Sequence, residues 1–94
     1  MESAKLVEKE IIETLKFPSG EVLVDDNKIE TRKKELKKAL SLGNLNKVKV
    51  KITFEDDECL KQVDTTIWAI TEKNIVLKAG RIIPIHRIHQ LSFL

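Results

Sequence analysis

Ninety-four residues are enough for one domain and too few for two independent cores. Hydrophobic residues make up 41% of the chain and charged ones 34%, with one Trp, three Phe and no Tyr, so the core has to be aliphatic. Seventeen basic residues against fifteen acidic leave a net charge of +2, a balance that argues against a dedicated duplex-DNA binder, which carries a larger basic excess. Up to Asn46 the charges are even, nine of each sign. From Lys47 onward eight basic residues face six acidic ones, which allows a modest anion-facing patch and no strong electrostatic funnel.

One cysteine, Cys59, cannot form an intramolecular disulfide, so folding does not depend on oxidation. Lys5, Glu8, Lys9 and Glu10 interrupt any signal-peptide h-region, and no apolar run reaches membrane-spanning length. The expected setting is the cytoplasm.

The first 46 residues read as a helical region of two helices, about 3–16 and 28–42. In the first, Ser3 is the expected N-cap, and Leu6, Val7, Ile11 and Leu15 form a stripe at helical spacing with Ile12 at its margin. Phe17-Pro18-Ser19-Gly20 ends it. In the second, Asn27 and Glu30 have capping-box spacing, with Asp25 and Asp26 adding charge that the helix dipole favours. Ile29, Leu36, Ala39, Leu40 and Leu42 give it an apolar side, and Gly43-Asn44 is the expected C-cap. Arg32, Lys33, Lys34, Lys37 and Lys38 cover the other side and read as a solvated face, with a phosphate-contacting helix as the alternative.

After Asn46 the period changes from helical to alternating. Lys47–Phe54 places Val48, Val50, Ile52 and Phe54 on one face and Lys47, Lys49, Lys51 and Thr53 on the other. Glu55–Glu58 is an acidic turn that lacks the alternating ligands and central Gly of an EF-hand loop, so no metal is expected there. A long second strand spans Cys59–Thr71 and turns apolar on both faces near Ile67–Ile70, as in a strand bent across a barrel. Glu72-Lys73-Asn74 turns the chain into a strand at Ile75–Lys78, and Ala79-Gly80 turns it again into Arg81–Ile85. Pro84 cannot donate to a ladder and marks an edge or a strand end. A single helical turn at His86–Ile88 and a short strand at His89–Phe93 close the chain. The fold expected is therefore α+β: N-terminal helices over 1–46, then a small, strongly bent, five-stranded antiparallel barrel of Sm-like or SH3-like type over 47–94.

The acidic turn Glu55–Glu58, the strand Ile75–Lys78 and the closing run IHRIHQLSF at Ile85–Phe93 together resemble the Rof-type modulators of Rho-dependent termination. The stretch Val63–Phe93 also resembles short bacterial proteins. The Rof-type resemblance implies a helix placed before an Sm-like barrel and a partner-binding rather than catalytic role. It carries no individual functional residue across.

No chemistry-bearing motif stands out. His86 and His89, three apart, lack an obvious third ligand. The chain has no Gly-rich phosphate loop, paired-carboxylate motif or nucleophile elbow, and a domain this small offers little concave volume for a substrate. Neither an enzyme, a cofactor nor a small-molecule substrate is expected. Trp68 reads equally as a core anchor whose indole needs a partner or as an exposed stacking platform. Lys47, Lys49 and Lys51 read either as solubilising strand lysines or, with Lys78, Arg81 and Arg87, as a phosphate-contacting stripe. The leading expectation is a non-enzymatic, RNA-binding module using Lys47, Lys49, Lys51, Trp68, Lys78, Arg81 and Arg87. The alternative is a protein-binding regulator or homo-oligomeric adaptor that uses the N-terminal helices and the barrel surface at Trp68.

Overall fold

The computed structural model describes residues 3–94 and shows an α+β chain with one α-helix and seven strands in two sheets. A strand of two residues, β1 (Lys5–Leu6), leads through a 3-10 segment at Lys9–Thr14 and an irregular stretch into α1 (Asp26–Asn46). Six strands follow: β2 (Val50–Glu55), β3 (Leu60–Thr65), β4 (Ile67–Ile70), β5 (Asn74–Leu77), β6 (Ile82–Pro84) and β7 (Ile88–Phe93), with 3-10 turns at Lys78–Gly80 and Ile85–Arg87. The first sheet has the order β1-β3-β2-β7 and the second β4-β5-β6.

The five-stranded closed barrel expected from sequence is not formed. The long strand at Cys59–Thr71 is two strands, β3 and β4, which interrupt at Thr66 and belong to different sheets. At the other junction Pro84 ends β6, and the 3-10 turn at Ile85–Arg87 carries the chain into β7, so neither connection continues a ladder from sheet to sheet. Proline's missing donor gives the second break its cause.

The helix expected over 3–16 is absent as well. Leu6, placed on its apolar stripe, is 61% exposed, whereas Ile12, placed at the margin, is 1% exposed. An isolated amphipathic helix of that length is marginal in water. The segment instead gives its backbone to the sheet: β1 lies parallel to β3, and the Val7 amide donates to Gln62 O at 2.8 Å. Ile12 then drops into the core from the 3-10 segment, and Val7, Leu15 and Phe17 pack against the same core cluster.

The one α-helix is longer than expected at both ends. Asp25, not Asn27, is its N-cap, accepting from the Asn27 amide at 2.8 Å. Gly43 is not its C-cap. It is buried within the helix, and a Cβ there would lie 2.7 Å from Ile67 O on β4, so the missing side chain is what lets helix backbone reach strand backbone. The helix ends one turn later at Lys47, in the left-handed region at φ 53° and donating its amide to Gly43 O at 3.0 Å. Leu36 and Ala39 of α1, Ile12, Val50, Ile52 and Phe54 of the first sheet's side, and Ile67, Ile75, Leu77 and Ile83 of the second sheet share one hydrophobic cluster.

Candidate nucleic-acid interface

The second sheet has one buried and one open face. Ile67 pairs with Leu77 and Ile75 with Ile83, and all four are fully buried. The register of β4 on β5 shifts between Ile67 and Ala69, a bulge of the kind that re-aims a side chain. Beyond it, Ala69 lies opposite Val76 and Val76 opposite Ile82, which makes a row across the three strands. Ile82 is 50% exposed and Trp68, at the bulge, 51%. Ala69 is exposed and Val76 half-buried. Trp68 is therefore a surface residue, and the core anchor that an aliphatic chain lacks is supplied by Phe54, whose ring stands 6.0 Å from that of Phe17.

Cations fringe this apolar row. The β5–β6 turn carries Lys78 and Arg81 around Ala79 and Gly80, which take φ of 70° and 81°. It is tied down by the Leu77 amide donating to Arg81 O at 2.7 Å and the Lys78 amide donating to Thr66 O at 3.1 Å. Arg81 is half-buried, and its Nε–H has no hydrogen-bond partner in the protein. Lys73, in the β4–β5 turn, is exposed at the opposite end. No acidic residue occurs after Glu72, so nothing on β5 or β6 offsets these charges. That acid-free run is visible in the sequence and, with Ile82, is the feature that periodicity alone passes over.

The other expected contacts are dispersed. Lys47 caps α1. Lys51, on β2, pairs across the strand with Asp64, and Lys49 borders a shallow hollow shared with Glu8, Glu10 and Asp64. These lysines sit on or beside the first sheet and Trp68 on the second, so they do not make one stripe with it. Arg87 is buried and committed: it donates to Glu55 O at 3.0 Å, Gly20 O at 2.7 Å and Asp56 O at 3.4 Å. His89 meets Glu55 Oε1 at 3.0 Å, tying β7 to the end of β2, and His86 meets Pro18 O at 3.0 Å, holding the loop before α1.

Two ion pairs are structural. Arg32, expected on a solvated helix face, is instead buried on α1, where it forks onto Glu21 at 2.6 and 2.8 Å and donates to Ile88 O at 2.9 Å. The Arg32 hydrogen bonds hold the Glu21 carboxyl below the usual carboxylate range. In the acidic turn, the Asp56 side chain is wholly buried and meets Lys61 Nζ at 2.7 Å. Its other oxygen accepts from the amides of Glu58 and Cys59, each at 3.0 Å. Burial by itself would raise the Asp56 carboxyl, yet the Cys59 amide and the Lys61 ammonium outweigh it and bring the group down. Asp56, Asp57 and Glu58 bring three carboxylates within 4.8 Å of one another, but Asp56 has both oxygens engaged by the protein, which leaves two exposed acids for any ion.

No protein-family model matches the chain, and neither a curated protein nor a solved structure does so. None of these comparisons supports a Rof-type assignment, and the Sm-like barrel that the resemblance implies is not formed. Among the described residues, no helix is long and apolar enough to cross a membrane.

Proposed function

We propose that the chain is a non-enzymatic binding module for single-stranded RNA, held on the open face of β4, β5 and β6. One observation carries the reading: a half-exposed Trp68 beside an apolar row, bordered by Lys73, Lys78 and Arg81 in a stretch without acids. An exposed indole on a sheet gives a base a stacking surface worth about 1–3 kcal/mol, and the lysines supply the phosphate attraction. The seven residues expected from sequence reduce to Trp68, Lys78 and Arg81, with Lys73 added. The proposed setting is the cytoplasm, where RNA is met and the free Cys59 thiol stays reduced. An adaptor working through its helices has less support, since α1 spends Leu36 and Ala39 on its own sheets.

The test is fluorescence anisotropy with a labelled ten-nucleotide oligouridylate at low salt. Trp68→Ala should weaken binding by roughly 5- to 100-fold, as loss of one stacked base implies. Lys78→Glu should weaken it and flatten its salt dependence, while Lys51→Glu should leave it unchanged. Absence of binding at low salt, or a Trp68→Ala variant that binds like the wild type, overturns the proposal. Equal competition by poly-L-glutamate also overturns it, and reassigns the face to an acidic protein partner.

A further inference from the structure

The RNA face is small, and its rims are unequal. Its middle strand, β5, has four residues and so runs for about 13 Å, at about 3.3 Å per residue. The outer strands, β4 and β6, lie on either side of it and stand about 10 Å apart, at about 4.8 Å between neighbours. A stacked strand advances about 3.4 Å per nucleotide. The face therefore holds three stacked nucleotides, and about four at most.

Charge decides where such a segment lies. Ile67 pairs with Leu77 and Ala69 with Val76, so Trp68 stands level with the last residues of β5, next to the turn that carries Lys78 and Arg81. A base on the indole then has its phosphate beside those two cations. Arg81 is half-buried, and a guanidinium partly removed from water attracts a phosphate more strongly than one in bulk solvent. At the other end of β5, Lys73 has Glu72 next to it, both exposed, so that turn carries no net charge. The β6 flank is acidic. There the Lys9–Thr14 segment lies against β6, with Glu10 and Glu13 exposed and Lys9 half-buried. On the β4 flank α1 closes in, its Gly43 backbone against Ile67 O. A polyanion is thus held at one corner of the face and repelled along the side opposite α1.

We infer that the face takes a short single-stranded segment of about three nucleotides, gripped at the Lys78–Arg81 turn and stopped at the acidic β6 flank. This rests on the RNA-binding reading and goes beyond it by naming the length of the ligand and the groups that end it. Single-strand sites on OB folds span about 4–16 nucleotides, so this one is shorter than most of them. With two or three phosphates neutralised by Lys78, Arg81 and Lys73, the log of the affinity should fall against log salt with a slope of about −1.4 to −2.1.

The test is a calorimetric length series on the full chain with uridine monophosphate, tetrauridylate and decauridylate. A three-nucleotide site finds two registers in the tetramer and eight in the decamer, so the decamer should bind only about fourfold tighter, at the same salt slope. The monophosphate should bind at least about tenfold more weakly than the tetramer, having no neighbouring nucleotide to stack or pair with a cation. Glu10→Lys combined with Glu13→Lys, both at exposed positions, should open the β6 flank and raise the decamer's advantage to about twentyfold or more. A wild-type decamer that binds more than about tenfold tighter than the tetramer, or with a slope steeper than about −3, overturns the inference while the RNA face stands. So does a monophosphate that binds as well as the tetramer, or a double variant whose advantage stays at fourfold. A decamer that does not bind at all overturns the RNA reading itself, and this inference with it.

Discussion

Replacing Asp56 by Ala removes a wholly buried carboxylate that meets the Lys61 ammonium at 2.7 Å and accepts two backbone amides at 3.0 Å each. Lys61 stays behind with its side chain 6% exposed and only Cys59 Sγ, at 3.3 Å, for a partner. Leaving one charge of a buried pair uncompensated costs about 3–5 kcal/mol. A domain of this length has about 5–14 kcal/mol in all, at about 0.05–0.15 kcal/mol per residue, so the variant loses about a fifth of it or more. With a urea m-value near 1.5 kcal/mol/M, the unfolding midpoint should fall by about 2–3 M at constant m. Lys61→Met should cost less, because the Asp56 carboxyl keeps both amide donors and can take up a proton. A loss under about 1 kcal/mol for Asp56→Ala would mean that water screens the pair as at a surface and would refute the reasoning. The reverse order of the two variants would refute it as well. Millimolar calcium should not raise the melting temperature of the wild type, since the most buried acid of the turn is already spent on Lys61.

Gly43→Ala gains about 1 kcal/mol of helix propensity but pushes a Cβ to 2.7 Å from Ile67 O, where overpacking costs about 1–3 kcal/mol. A net loss is expected in chemical denaturation, and a stabilised variant would show that α1 can move off β4. Lys47→Gly relieves a side chain held at φ 53° and should raise stability by about 1 kcal/mol. It should leave RNA affinity unaltered, which separates Lys47's capping role from any ligand contact. Stability should also depend on pH at both extremes. Glu21 and Asp56 are lowered in the folded chain, so their contributions are complete above the unfolded carboxylate values, about pH 4–4.5, and are lost as pH falls through the folded ones. For Lys61, burial opposes the charge, but the Asp56 hydrogen bond outweighs it and raises the group. Its contribution is therefore complete below about pH 10 and lost as pH rises through the folded value. Melting temperatures across pH should show a plateau with both shoulders, and Asp56→Asn should weaken the alkaline one.

Local punctuation was legible and long-range pairing was not. The turns at Glu72-Lys73 and Ala79-Gly80, the single 3-10 turn after Pro84 and the closing strand all fall within a residue or so of where Gly, Pro and polar clusters put them, because those residues restrict their own dihedrals. The helix start at Asp25 was legible only to within two residues, since three acids and amides in a row compete for one cap. Gly43 was misread because a glycine near the end of a helical run signals a cap or a close contact equally well, and only β4 decides between them. The stretch 3–16 was misread because its apolar residues fit a helical stripe. What overrode the stripe was the edge of β3, 55 residues away at Gln62, which offered Val7 a backbone partner. Arg87 illustrates the same limit at the candidate site. Its charge is plain in the sequence, but three carbonyl acceptors from two distant segments take it out of solvent.

The interruption that prevents one continuous strand also creates the exposed face. Had Cys59–Thr71 run unbroken in one sheet, strict alternation would have kept Trp68 in phase with Gln62 and Asp64, on the polar side of the first sheet where Lys51 and Thr53 lie. The break at Thr66 transfers the chain to a second sheet, and the register shift before Ala69 sets Trp68 beside an apolar row instead. Thr66 is fixed on both sides, by the Lys78 amide on its carbonyl and by Gly43 of α1 close to its methyl. Helix length, strand break and indole exposure are thus one arrangement: the close approach at Gly43 holds the junction, and the junction decides which face of which sheet Trp68 occupies.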